Sequence, residues 1–171
     1  LLMALSNKYG SMLLTTGNKS EIAVGYSTIY GDMCGGYNPI KDVYKTRLYS
    51  ICEWRNSYHE AWMKGPNGLV IPKSILEKSP TAELRPNQTD QDSLPPYEVL
   101  DSILESLIEN DMPVSEIAKQ GYDYNIVKKI EKLVYQSEYK RFQSAPGVHL
   151  TKNSFQLSRR YPIVQNWRDK L

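Results

Sequence analysis

The chain of 171 residues holds only two cysteines, two histidines and two phenylalanines. Cys34 and Cys52 are too few for a disulfide framework. With His59 and His149 they match none of the usual zinc spacings, and there is no Cys-x-x-Cys. No apolar run approaches the ~18 residues of a membrane span. Leu1–Leu5 is too short for a signal-peptide core and has no basic stretch before it. Together these absences argue against secretion and membrane insertion and make a reducing cytoplasm the expected compartment. There is no internal repeat and no low-complexity tract. An initiator methionine is also missing, and the chain opens inside an apolar run, so residue 1 reads as a cut or processed end.

What is present fits one globular domain. Hydrophobic residues make up 40% and charged residues 23%, inside the globular range. Thirteen tyrosines against two phenylalanines mean that most aromatic bulk carries a hydroxyl needing a partner. The net charge of +2 conceals a gradient. Residues 1–112 hold 10 Lys and Arg against 14 Asp and Glu, whereas residues 113–160 hold 9 against 4. The basic C-terminal third therefore meets an anionic partner or neutralises the acidic part.

Hydrophobic spacing predicts a helix over Leu1–Tyr9 stopped by Gly10, then a short buried parallel strand at Met12–Thr16. A turn at Gly17–Ser20 follows, with Asn18 or Ser20 able to cap a helix through about Tyr30. Gly31–Pro39 is a glycine-rich loop. The next helix, about Asp42–Asn56, sets Val43, Leu48, Ile51, Cys52 and Trp54 near its inner face. Leu69–Pro72 reads as an edge strand. Residues 79–96 contain four prolines and little apolar bulk, the pattern of a mobile lid or of a disordered linker. Pro95-Pro96 opens the clearest helix, with Val99, Leu100, Ile103, Leu104, Leu107 and Ile108 on one stripe. Two further helices, about Val114–Gln120 and Asp123–Gln136, meet at Gly121, and the tail from Ala145 is irregular and basic. Helix, strand, turn and helix in this order is α/β grammar.

The strand–turn–helix at Leu13–Glu21 is a candidate site, because ligands of open α/β sheets sit where a helix N-terminus follows a strand. Thr15, Thr16, Asn18, Lys19 and Glu21 project there, with Lys19 suited to a phosphate and Glu21 to Mg²⁺. The plainer alternative is a cap with an acid complementing the helix dipole. Asp32 in the glycine-rich loop and Lys45 on the following helix extend the cluster. Residues 113–136, with Lys128, Lys129 and Lys132, also have the outline of a helix-turn-helix reader, although two amphipathic helices on a core read the same way.

Longer strings carry more. TTGNKSEIAVGYSTIYGDMCGGYNPIKDVYKTRLY (15–49), SPTAELRPNQTDQDSLPPYEVLD (79–101), EYKRFQSAPG (138–147) and RRYPI (159–163) resemble the NAD⁺ synthetase family, in order and over essentially the whole chain. The wording of the first two is closest to glutamine-dependent members. The resemblance implies a Rossmann-like adenine-nucleotide α-hydrolase-like α/β fold and amidation of deamido-NAD⁺ with ATP and Mg²⁺. By the same resemblance Thr16, Lys45 and Thr81 would contact ATP, and Glu21 would lie at the Mg²⁺ or deamido-NAD⁺ position. Tyr26, Ser27, Thr28 and Ile29 would border deamido-NAD⁺. Asp32 would stand near the nicotinate and incoming ammonia, and Lys140 would pair with the substrate's carboxylate. It further implies a homo-oligomer, with neither nucleic acid nor membrane as partner, and ammonia or a glutaminase domain as nitrogen source.

The family's phosphate loop, of Ser-Gly-Gly-x-Asp-Ser type, occurs nowhere in the chain. Residues 1–171 are therefore expected to be the C-terminal part of a synthetase domain, inactive alone and with apolar surface and a sheet edge left open. A nucleotide-binding fragment without turnover is the alternative, and a helix-turn-helix nucleic-acid binder a third.

Overall fold

A computed structural model of the chain describes residues 1–81, 86 and 88–168. It comprises α1 (Leu2–Tyr9), α2 (Lys19–Val24), α3 (Lys45–Ser57), α4 (Lys73–Leu76), a 3-10 turn at Asp90–Asp92, α5 (Tyr97–Ile108), α6 (Val114–Lys119), α7 (Tyr124–Gln136) and α8 (Glu138–Phe142). The apolar stripe of α5 makes it the central helix. Leu100, Ile103, Leu104 and Ile108 are wholly buried, each worth about 1.5–3 kcal/mol of transfer free energy. Ile22, Ala23 and Val24 of α2, Ile117 of α6 and Val127, Ile130 and Val134 of α7 close around that stripe. The α6–α7 pair thus turns its apolar faces to the core. Lys129 reaches across to the Ser93 carbonyl at 2.7 Å. Among the described residues no helix is long and apolar enough to cross a membrane.

Caps explain several boundaries. The side chain of Asn18, not Ser20, accepts from Glu21 N–H, while Glu21 answers to Asn18 N–H in a reciprocal box. That helix ends at Val24 rather than near Tyr30, because Gly25 takes a left-handed conformation at φ 70°. Asp123 caps α7 through Ile126 N–H. No side chain of its own caps α3. Instead Asp101 of α5 accepts from the Thr46 amide at 2.9 Å, and Ser20 Oγ accepts from the Lys45 amide at 2.9 Å.

Three local expectations need correction. The strand at Met12–Thr16 is reduced to one parallel bridge between Leu14 and Tyr37, with Met12 and Leu14 exposed. Parallel strands hold when paired and covered on both faces, and among the described residues only Gly36–Tyr37 pairs with this segment. The face of α1 and residues 12–14 is accordingly open and apolar. The inner face of α3 is half-open: Ile51 and Trp54 are exposed, since this helix borders a cleft rather than the core. Finally, Leu69–Pro72 pairs with a side chain instead of a strand. Asn56 Oδ1 accepts from Val70 and Ile71 N–H, and its amide donates to the Ile71 carbonyl at 2.8 Å. The α8 helix went unread in the sequence because it is one short turn after Ser137.

Lys41 supplies a pH prediction. It is 4% exposed, donates to the Ala145 carbonyl at 2.5 Å and meets Gln156 Oε1. Burial pushes its ammonium down to about 8. Between that value and the ordinary 10.5, the unfolded chain holds a proton that the folded chain lacks, so folding gains as pH rises. The stability of the wild type relative to Lys41→Met is expected to grow by about 2 kcal/mol from pH 8 to 10, read from urea unfolding at each pH. A difference that stays flat or shrinks contradicts the account.

Candidate functional site

Beside the N-terminus of α3 lies a cleft with two lobes. The larger, about 640 Å³, is lined by Glu21, Gly25–Thr28, Gly31, Asp32, Thr81, Gln88, Asp90 and Lys140. The smaller, about 320 Å³, is lined by Lys45, Leu48, Tyr49, Cys52, the Ile71–Leu76 region and Lys78–Thr81. Glu21, Thr81 and Asp90 border both. Of the ten residues singled out by resemblance, eight therefore meet in one cleft. Thr16 and Ile29 line neither lobe; Thr16 is exposed just before the α2 cap. Of the 79–96 segment, Ala82–Arg85 and Asn87 lie outside the described residues.

Each polar group has an identifiable anchor. Lys45 Nζ pairs with Glu21 Oε1 at 2.9 Å, and Glu21 Oε2 accepts from Asn18 N–H at 3.2 Å. The Lys45 ammonium also lies 5.3 Å from the Tyr97 ring centroid, a cation–π contact. Asp32 Oδ1 accepts from Thr28 N–H at 2.6 Å, closing the turn after α2 and leaving its carboxylate at the rim. Lys140 Nζ donates to the carbonyls of Gly25 and Ser27, both at 2.7 Å. An ammonium has three donors, of which these two are taken among the described residues. Burial and the nearby Asp90 charge raise the Tyr26 hydroxyl above its ordinary value.

Lys140 is set in place by its neighbour. Arg141 is 1% exposed, pairs with Glu138 at 2.7 Å, donates to the Ala23 carbonyl at 2.7 Å and lies over the Phe155 ring. It fastens α8 against the end of α2, where the carbonyls held by Lys140 emerge. Sequence reading named Lys140 but passed over Arg141; the sole clue was an arginine beside it in a basic segment.

Lys19, read as a phosphate contact, is instead structural. It is wholly buried, ion-paired with Asp42 at 2.8 Å and Glu109 at 2.5 Å, and bonded to the Asn153 carbonyl. Helical geometry turns position 19 toward α5 and the tail, while Glu21 faces the cleft. Burial alone would raise Asp42, but Lys19 and the Leu150 and Thr151 amides outweigh it and hold its carboxyl below the usual range.

A parallel bridge leading into the capped helix α2, with the helices packed behind it, is the part of a Rossmann-like adenine-nucleotide α-hydrolase-like fold that this chain holds. A solved structure supports this: the glutamine-dependent NAD(+) synthetase from Cytophaga hutchinsonii superposes with a TM-score of 0.68 at 27% identity, over 96% of this chain and 26% of that one. The NAD synthase family model matches residues 1–144, and the chain belongs to that family. It is 64% identical over 170 residues to the glutamine-dependent NAD(+) synthetase of Rhodobacter capsulatus, covering 99% of this chain and 31% of that protein. To the enzyme of the same name from Xanthomonas campestris pv. campestris it is 50% identical over 167 residues, covering 98% and 29%. The chain thus spans about 30% of the length of these curated relatives.

Proposed function

We propose that the chain is the C-terminal part of the synthetase domain of an enzyme that amidates the nicotinate carboxylate of deamido-NAD⁺, using ATP and either glutamine or ammonia. The observation that carries this reading is the single two-lobed cleft, which gathers eight residues named from separate stretches of sequence. On this reading the large lobe takes deamido-NAD⁺ and the small lobe takes ATP, and residues 79–96 act as the substrate loop. A homo-oligomer belongs to the same proposal.

A carboxylate is a poor electrophile, so its oxygen first attacks the α-phosphorus of ATP and releases pyrophosphate. Ammonia then attacks the acyl carbon, a proton leaves the nitrogen, and AMP departs. Lys45, turned from Glu21, meets the phosphates. Lys140, braced on two carbonyls, pairs with the substrate's carboxylate, and Thr16 lies on the ATP side. Asp32 at the rim draws in ammonium or takes its proton. Preorganised charge is the main contribution such residues make. The residues fit a Mg²⁺ that enters with the triphosphate, which needs only one or two protein carboxylates. Glu21 would hold it, and among the described residues no cluster of three His, Cys, Asp or Glu offers a separate protein-made site. When bound, the ion neutralises phosphate charge.

The test assays NAD⁺ formation by the full-length protein from deamido-NAD⁺, ATP and ammonia, with glutamine in parallel. Turnover that falls at least about 100-fold in both Glu21→Ala and Lys45→Ala is expected, on the scale of lost transition-state charge stabilisation. The 171-residue chain alone is expected to show none. Absence of turnover in the folded full-length protein shifts the reading to a nucleotide-binding domain.

A further inference from the structure

Asp90 was singled out by neither motif nor resemblance, yet it occupies the junction of the two lobes. It is 4% exposed. Its amide donates to the Pro80 carbonyl at 3.0 Å, joining the chain just before Thr81 to the chain just after Gln88. Its Oδ2 accepts from the Tyr97 hydroxyl at 2.6 Å, fastening that junction to the first turn of α5. Its own carbonyl accepts from Ser93 and Leu94 N–H. Tyr97 in turn carries the Lys45 ammonium on its ring, and Gln88 reaches the Tyr26 hydroxyl at 3.3 Å. The backbone of Asp90 therefore joins the Thr81 and Gln88 flanks, and its carboxylate ties that junction to α5 and, through the Tyr97 ring, to the Lys45 ammonium.

The second oxygen, Oδ1, is closed to solvent. The carboxylate also bears on the Tyr26 hydroxyl of the large lobe, which burial and then the charge and hydrogen bonding of Asp90 hold above its ordinary value. Asp90 thus borders both lobes and acts through the groups it holds.

We propose that Asp90, through Pro80 and Tyr97, is the positioning residue that fixes the wall shared by both lobes, so that it sets the affinity of both ligands together. This rests on the two-lobe reading given above for deamido-NAD⁺ and ATP. Residues belonging to one lobe act differently: Lys45 borders only the small lobe and Lys140 only the large one.

In the full-length protein, Asp90→Ala is expected to raise KM for ATP and KM for deamido-NAD⁺ alike, each about tenfold, the scale of one lost charge-assisted hydrogen bond. Tyr97→Phe follows it. Asp90→Asn restores both, because the amide oxygen still accepts from the Tyr97 hydroxyl. Lys45→Ala moves KM for ATP, and Lys140→Ala moves KM for deamido-NAD⁺. Hydrogen exchange supplies a readout free of ligand: the amides of Asp90, Ser93 and Leu94 exchange about tenfold faster in Asp90→Ala, with the melting temperature held within a few degrees. Unchanged exchange, a shift confined to one KM, or an Asn variant as impaired as Ala overturns the proposal. If the wild type turns over neither substrate, the functional reading fails, while the exchange comparison still decides the role of Asp90.

Discussion

Replacing Lys19 with Met is expected to destabilise the fold by about 3–5 kcal/mol and to lower the melting temperature by on the order of 10 °C. Two carboxylates, Asp42 and Glu109, converge on a single wholly buried ammonium. Removing it leaves Asp42 buried and Glu109 nearly so, and their desolvation is no longer offset. The same cation lies 5.2 Å from the Tyr44 ring centroid, so aromatic contact is lost as well. Glu109 also takes the Tyr44 hydroxyl at 3.1 Å and the Asn153 amide at 2.9 Å. The pair therefore ties α2, the end of α5 and the 150–155 tail into one unit. Neutralising the acids in the same protein, as Lys19→Met with Asp42→Asn and Glu109→Gln, is expected to recover part of the loss, because no unpaired charge remains. Thermal unfolding of the two variants decides the matter. A surface phosphate ligand would behave in the opposite way, leaving the melting temperature almost unmoved while weakening nucleotide affinity.

Lys19 also marks the boundary of what sequence can tell. Pattern located the start of the helix and the polar cluster, but left the cap open between Asn18 and Ser20 and ran the helix on to about Tyr30, past its end at Val24. It could not distinguish position 19 from position 21, because the direction each faces depends on Asp42, Glu109 and Thr151, which are remote in sequence. The α5 stripe was legible for the reverse reason: Leu100, Ile103, Leu104 and Ile108 share one helical face, and a central helix buries it whatever surrounds it. Asp123 as a cap was equally local. The segment Leu69–Pro72 looked like a strand because it is an apolar run, but its partner is the side chain of Asn56, fourteen or more residues earlier. No period announces such a pairing.

The site divides along the same line. Glu21, Asp32, Lys45 and Lys140 were named because whole strings resembled a family, and the cleft brings them together. The residues that set their positions were not: Asp101 and Ser20 at the start of α3, Arg141 under α8, and Asp90 between the lobes. These act through buried hydrogen bonds between distant segments, and a buried acid or arginine looks like a surface one in a linear sequence. Burial lifts the Asp101 carboxyl above its usual range even with Ser20 and Thr46 donating to it. That is an expensive way to cap a helix, justified by the lysine it orients.

Gly25→Ala is expected to combine loss of stability with loss of substrate binding. Gly25 stands at φ 70°, where a Cβ adds about 1–2 kcal/mol of strain. Its close approach to α8 is the larger matter: an added Cβ would overlap Ser137 Oγ and lie 2.7 Å from Ser137 Cβ. Relieving that overlap costs a further 1–3 kcal/mol, roughly, through displacement of the packed segment. The displaced segment is the start of α8, which carries Arg141 into the α2 carbonyls and Lys140 onto those of Gly25 and Ser27. KM for deamido-NAD⁺ should therefore rise in Gly25→Ala more than KM for ATP, since Lys45 and α3 stand apart from this joint. Adding Ser137→Gly removes both clashing atoms. Ser137 makes no side-chain cap bond to α8, so the hydroxymethyl group can go at little local cost. The double variant should regain the packing share of the stability and most of the substrate affinity, while keeping the strain at φ 70°. Calorimetric unfolding together with the two KM values separates these shares. If Ser137→Gly restores nothing, the contact between α2 and α8 does not set the position of Lys140, and the large lobe depends on some other support.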